Sequence, residues 1–216
     1  DPNAAAVLRE RSARWRTEIR FFRPVPVPTR RLARHEPAAG CLIGANVERE
    51  RKTRDPAEFS RLIGKPHALF FMYRRYGMPF PREFAESCRR AGAGIQIAWE
   101  PRSLEDVRDD AYLRRFAEDA ARSGVPVFLR FASEMNGRWT PYHGDPAAYV
   151  RAFRLVARRT REIAPNVATV WSVNEIPDEP IPRYYPGADA VDWVGVNFYS
   201  VIYRDADRAR PAEWKW

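Results

Sequence analysis

Between Val125 and Gly144 the chain reads VPVFLRFASEMNGRWTPYHG. It opens as a buried strand at Val127-Phe128-Leu129 and turns polar at Arg130, Ser133, Glu134 and Asn136. It closes in an aromatic run, Trp139, Tyr142 and His143. A strand whose carboxyl end passes abruptly into charge, amide and indole builds the rim of an α/β active site. A carboxyl group there can protonate a leaving oxygen, and the rings beside it can stack on a hydroxylated ligand. Glu134 therefore reads as the catalytic centre of a sugar-cleaving site, with Arg130 and Asn136 orienting it or a sugar hydroxyl. Its aromatic surroundings predict a raised pKa, as a general acid requires. Taken alone, a glutamate after a strand is more often a helix cap or a surface charge; the surrounding EMNG-x-W shifts that balance.

Glycosidic cleavage usually needs a second carboxyl group, to attack the anomeric carbon or to activate water. The rings carry alternatives too. Trp99, Trp171 and Trp193 follow strand-like runs, where a tryptophan serves a core as readily as a sugar platform. Trp139, Tyr142 and His143 lie in a loop with Gly137 and Pro141, where core packing is less available, so a substrate role is expected of them. The three histidines, His35, His67 and His143, show no metal-ligand spacing, and neither a Ser-His-Asp nor a nucleophile-elbow pattern is present.

The elements that must position these groups recur regularly. Apolar strand candidates start near Cys41, Ala68, Ile95, Val125, Ala168 and Val191, with helix-like stretches between most of them. Pro56-Ala57-Glu58-Phe59 and Pro81-Arg82-Glu83-Phe84 each open a helix. Ser103-Leu104-Glu105-Asp106 resembles a capping box ahead of Tyr112 to Arg122. Asp145-Pro146 forms an N-cap and N1 pair for a helix with Val150, Phe153, Val156, Ala157 and Thr160 on one face, stopped at Ala164-Pro165-Asn166. Alternating β and α units predict a parallel sheet with crossover helices. A doubly wound sheet would carry a glycine-rich phosphate turn after an early strand, and none is present. Instead many strands end in functional groups: Asn46 and Glu48, Tyr73, Trp99 and Glu100, Glu134, Trp171 and Asn174, Asn197 and Tyr199. That distribution predicts a (β/α)8 TIM-barrel. Such barrels need eight strands, and only 16 residues follow Ser200. The barrel is therefore expected to be incomplete in this chain, with about six βα units and strands seven and eight beyond Trp216.

Composition narrows the rest. The 216 residues are 45% hydrophobic and 30% charged, enough for a sizeable core, and no run of about 18 apolar residues is present to span a membrane. The net charge of +9 raises the question of nucleic acid, but the arginines scatter over helix-like faces without a recognition motif. Residues 1–37, basic and proline-rich, read as an arm or linker ahead of a barrel domain over 38–216. A basic interaction module centred on that arm is the reading in which nucleic acid would matter. Cys41 and Cys88 are expected to be two buried thiols.

The segment LRFASEMNGRWTPYHGDPAAYVRAFR resembles the acid/base region of glycoside hydrolase family 26, the β-mannanase family of clan A. WSVNE and YYPGADAVDWVGVNFYS resemble that family's fifth and sixth strands. The resemblance implies a retaining mechanism without a cofactor, Glu134 as general acid/base on strand four, and a nucleophilic glutamate on strand seven. It also implies that Tyr199 contacts the nucleophile, that Trp171 and Asn174 line the cleft, and that Trp139 helps bind the sugar. One departure is Ser133, where the family commonly has a histidine of the substrate-binding set. Glu100, Glu175 and Glu213 are poor replacements for the nucleophile; Glu100 is better placed to bind a sugar hydroxyl.

The expected function is thus a retaining endo-β-glycoside hydrolase for β-mannan or a related β-linked polysaccharide, working outside the cell or at its surface. Its expected substrate-binding set is Asn46, Trp99, Glu100, Arg130, Ser133, Asn136, Trp139, Tyr142, His143, Trp171, Asn174 and Asn197. The alternative is a non-catalytic carbohydrate-binding or cell-wall-associated protein that kept the cleft without the chemistry.

Overall fold

The computed structural model describes residues 32–48, 53–176 and 179–198. Tyr199, Glu213 and most of the arm over 1–37 lie outside the described residues. The strands are β1 (Gly44–Asn46), β2 (Leu69–Arg75), β3 (Gly94–Glu100), β4 (Val127–Phe131), β5 (Val167–Asn174) and β6 (Trp193–Asn197). The α-helices are α1 (Pro56–Ile63), α2 (Arg82–Arg90), α3 (Ala111–Arg122) and α4 (Pro146–Ile163).

Among the described residues all five strand pairings are parallel, and the sheet order is β1-β2-β3-β4-β5-β6. That order decides the fold class. A doubly wound sheet reverses direction at its switch point; here every connection steps the same way. Because parallel crossovers are right-handed, uniform stepping puts the helices on one face and leaves the other as a barrel interior. The fold is an incomplete (β/α)8 TIM-barrel, with six strands among the described residues.

Side-chain alternation separates the two faces. Phe70, Ile95, Ile97, Trp99, Val127, Leu129, Phe131 and Val167 share one large core with Phe116, Tyr149 and Phe153 of the helices. Phe128, Ala168 and Val170 form a smaller cluster on the opposite face with Leu42, Leu69 and Trp193. Burying each large apolar side chain of the first set contributes about 1.5–3 kcal/mol. At the foot of the interior, Phe128 lies between the rings of His35 and Trp193, 5.6 and 5.4 Å away. Arg34 donates to the Val167 carbonyl at 2.6 Å, and the Trp193 indole donates to the Arg34 carbonyl at 2.7 Å. The segment just before β1 thus stoppers the interior.

Local chemistry sets the helix starts. Asp55 accepts from Ala57 and Glu58 N–H ahead of Pro56, and Asp145 accepts from Ala148 N–H ahead of Pro146. The capping-box expectation at Ser103 needs correction. Ser103 caps only a short 3-10 turn, Leu104–Asp106, and Asp110 caps α3 by accepting from Leu113 N–H at 2.9 Å. The cysteines also divide. Cys88 is buried, its thiol pushed up to about 12 by desolvation, whereas Cys41 is exposed.

Candidate active site

After β4 the backbone takes an unusual path. Ala132 and Glu134 both have left-handed φ, 47° and 59°. For a residue with a Cβ this conformation costs about 1–2 kcal/mol, so neighbouring bonds must hold it. They do: Ala132 N–H donates to the Trp99 carbonyl at 3.1 Å, and Glu134 N–H to the Ser172 carbonyl at 2.9 Å. Asn136, fully buried, clamps the end of β5. Its amide N–H donates to the Asn174 carbonyl at 2.9 Å, and its Oδ1 accepts from Asn174 N–H at 2.9 Å.

This turn carries the Glu134 carboxyl across the ends of β5 and β6. Its Oε1 accepts from the amides of Asn197 at 2.6 Å and Asn174 at 3.1 Å, and its Oε2 accepts from the Trp139 indole at 2.7 Å. Ser172 Oγ donates to Asn197 Oδ1 at 3.3 Å, which turns the NH2 end of that amide toward Glu134. Partial burial pushes the Glu134 pKa up, but the three donors and the charge of Arg130 outweigh it and the net direction is down. The raised pKa expected from aromatic surroundings is therefore not found. Trp139 meets the carboxylate with its N–H edge, where it donates a bond instead of excluding water.

A second carboxyl group shares the cleft. Glu100, at the end of β3, accepts from Ser133 Oγ and from Ser133 N–H at 3.2 Å, and its Oε2 lies 2.6 Å from the Tyr142 hydroxyl. Desolvation raises its pKa against these neighbours and Arg130. The Arg130 guanidinium lies 5.2 Å from the centroid of the Phe71 ring, on the interior face. Glu100, Arg130, Ser133, Glu134, Trp139, Tyr142 and Asn197 line a cleft of ≈ 270 Å³. Tyr73, Pro101, Thr140 and Pro141 complete its wall. Two carboxyl groups pushed in opposite directions by their surroundings, beside an exposed indole, form a surface suited to acid/base work on a hydroxylated ligand.

Not every residue expected at the site is there. Trp99 is fully buried on the helix face, stacked on Phe116 at 4.0 Å. Trp171 is on that same face, 7% exposed and edge-on to Tyr185. Both are core residues, since alternation along β3 and β5 turns them away from the interior. Asn136 likewise positions backbone, with both ends of its amide occupied. Tyr142 holds Glu100 and is buried, so it offers no stacking face. His143 sits in the turn after Tyr142, its Nδ1 buried, and does not line the cleft. Asn46 accepts from Glu48 N–H and faces a neighbouring interior groove between β1 and β6. Tyr73, read from the sequence as an aromatic strand end but not assigned to the substrate set, has the interior parity of Leu69 and Phe71 and lines the cleft. Sequence reasoning left out Ser172. Ser172 acts through its carbonyl and hydroxyl at once, which no sequence pattern announces.

Gly137 makes the Glu134–Trp139 contact possible. A Cβ on Gly137 would lie 2.2 Å from the Trp139 ring, so the indole must leave if any side chain is added. Gly137→Ala is expected to detach the indole and remove one of the three donors from Glu134. The Glu134 titration, followed by carboxyl 13C NMR, should then move upward; a midpoint unchanged from wild type would refute the role given to Trp139.

With this geometry in place, comparison with known proteins decides the family. A sequence profile described as Glycosyl hydrolase family 26 matches residues 102–210, about half of the chain. The chain belongs to glycosyl hydrolase family 26. Among curated relatives, a β-1,3-xylanase of a Vibrio species is 35% identical over 127 residues, covering 56% of this chain and 27% of the relative. Endoglucanase H of Acetivibrio thermocellus is 27% identical over 180 residues, covering 75% of this chain and 20% of the relative. Of solved structures, a Cellulomonas fimi endo-β-1,4-mannanase double mutant superposes with a TM-score of 0.60 at 18% identity, covering 77% of this chain and 50% of that one. A family 26 β-mannanase of Bacteroides ovatus gives 0.53 at 20% identity, covering 74% and 63%. The chain thus spans about a quarter or less of these curated relatives and half to two-thirds of these structures. Within that family of glycosyl hydrolases, this chain carries an incomplete TIM-barrel.

Proposed function

We propose that this chain supplies the acid/base half of a retaining endo-β-glycosidase that cleaves β-mannan or a related β-linked polysaccharide. The observation that carries the proposal is Glu134, held at the ends of three parallel strands by Asn174, Asn197 and Trp139 in an open cleft. In the first step protonated Glu134 gives its proton to the glycosidic oxygen as the C–O bond breaks. A carboxylate on strand seven of the longer protein forms the bond to the anomeric carbon, and the family resemblance gives Tyr199 the role of contacting that carboxylate. In the second step Glu134 takes a proton from water, the resulting hydroxide attacks that carbon, and the strand-seven carboxylate departs. A second carboxylate near Glu134 also raises its pKa by like-charge repulsion, the push that an acid needs and that the donors here oppose. A polymeric substrate places the work outside the cell or at its surface.

The test is to express the reading frame continued past Trp216 and assay β-1,4-mannan, β-1,3-xylan and mixed-linkage β-glucan. β-1,3-Xylan belongs in the panel because curated relatives carry that activity in their names. Hydrolysis of at least one polymer with retained anomeric configuration, seen by proton NMR of the first product, is expected. Inversion, or no hydrolysis of any of the three, would overturn the proposal. The ionised state favoured for Glu134 supports a second reading, a sugar-binding protein without chemistry. In that case oligosaccharide binding survives Glu134→Gln and no polymer is cut.

A further inference from the structure

Tyr142 has one hydroxyl proton and two close oxygen neighbours. Its Oη lies 2.7 Å from the Ser133 carbonyl oxygen and 2.6 Å from Glu100 Oε2. A carbonyl oxygen only accepts, so if Tyr142 donates to it, the second contact needs a proton from Glu100. An ionised Glu100 would leave two oxygens facing each other at hydrogen-bond distance with no proton between one pair, in a place where Tyr142 is only 5% exposed. The other Glu100 oxygen already accepts from Ser133 Oγ. Every contact is satisfied when Glu100 Oε2–H donates to Tyr142 Oη, Tyr142 O–H donates to Ser133 C=O, Ser133 Oγ–H donates to Glu100 Oε1, and the Glu100 Oε2 hydroxyl oxygen also accepts from Ser133 N–H at 3.2 Å.

We infer that Glu100 is a neutral carboxylic acid in this site and acts as a positioning residue for Glu134. Its proton completes a closed ring of hydrogen bonds through Tyr142 and Ser133. Ser133 immediately precedes Glu134, so the ring helps hold the left-handed turn that aims the Glu134 carboxyl.

The charges around the ring fit a neutral Glu100. Arg130 on β4 is the cation that faces it, and Arg130 faces Glu134 as well. Tyr149 of α4, fully buried near Glu100, has its hydroxyl raised by burial and stays uncharged. Desolvation pushes the Glu100 carboxyl in the same direction. With Glu100 neutral, Glu134 is the anionic side chain among the described residues that line the cleft. The inference concerns the same cleft as the proposed hydrolysis, but its test reads a proton, so each can fail without the other.

The experiment uses this chain labelled with glutamate carrying 13C at the side-chain carboxyl, titrated by NMR. In wild type, one resonance absent from Glu100→Gln should stay in the protonated form after the exposed glutamates have ionised. A Glu100 resonance already ionised alongside them would overturn the inference. Tyr142→Phe gives an independent sign. If Tyr142 accepts the Glu100 proton, its loss removes a partner of the neutral acid and the midpoint falls. If Tyr142 instead donates to an ionised Glu100, the midpoint rises, and the inference is wrong. The positioning role is read at Glu134. Glu100→Gln keeps a neutral side chain with an N–H donor for Tyr142 and loses only the acceptor for Ser133 N–H, so it should shift the Glu134 midpoint less than Glu100→Ala does. Equal shifts in both variants would refute positioning.

Discussion

Glu134→Gln, made in the complete enzyme, is expected to lower polysaccharide turnover by about 10²–10⁴-fold, the usual contribution of a general acid or base. The loss should depend on the leaving group, and this is what separates proton transfer from damage to the fold. A polysaccharide leaves as a poor alkoxide and needs the proton. A dinitrophenyl glycoside leaves without one, so its first step should remain fast. The second step, which needs Glu134 as a base, then becomes slow, and a burst of one phenolate per active site should precede a slow steady state. An equal loss for both substrates, with no burst, would remove Glu134 from the acid/base role. Gln is close to isosteric with Glu: its Oε1 can still accept from Asn174 and Asn197, and its NH2 replaces an acceptor only beside the Trp139 indole, which is 53% exposed and has room to turn. The variant is therefore expected to fold.

The second large effect concerns two tryptophans that look alike in the sequence. Trp99→Ala should cost about 3–5 kcal/mol of folding stability, because a fully buried ring is removed from among Phe116, Tyr76 and Phe131. Domains of this kind are stable by only about 5–15 kcal/mol, so urea denaturation should register the change as a large shift in midpoint. Trp139 is 53% exposed, and Trp139→Ala should alter stability by roughly 0.5 kcal/mol or less. Its effect should fall on ligand affinity, where a central aromatic contact is typically worth more than about 1 kcal/mol. Calorimetric titration with oligosaccharides that bind the unmodified protein reads the second effect. Should Trp139→Ala destabilise the fold as strongly as Trp99→Ala while binding is unchanged, the assignment of core and cleft would be reversed.

Those two residues show where sequence reasoning reached its limit. Trp99 and Glu100 are adjacent at the end of one strand, so they point to opposite faces: the indole enters the helix-side core and the carboxyl enters the cleft. In a parallel sheet both faces are covered, and the strands read as nearly continuous apolar runs. Alternation is then present in the backbone but hidden in the residue types, and Trp171 was misplaced for the same reason. Glu100 was legible as a polar group at a strand end. Its bonds to Ser133 and Tyr142 were not, because its partners lie 33 and 42 residues away in sequence.

The sequence by itself determined the strand and helix succession, the uniform parallel order that such spacing favours, and the gathering of Arg130, Ser133, Glu134 and Trp139 at and after the end of β4. These follow from local causes: apolar runs, Asp-Pro helix starts, and polar residues confined to strand ends. The six-strand count came from the same source, and with it the expectation of an incomplete barrel. Only the tertiary structure decided what surrounds Glu134. Its pKa direction comes from amides on β5 and β6, brought in by sheet order, together with an indole turned by Gly137. Titration depends on the sum of desolvation, charge and donors at a few ångströms. Such distances are set when distant segments pack, and composition near one residue does not contain them.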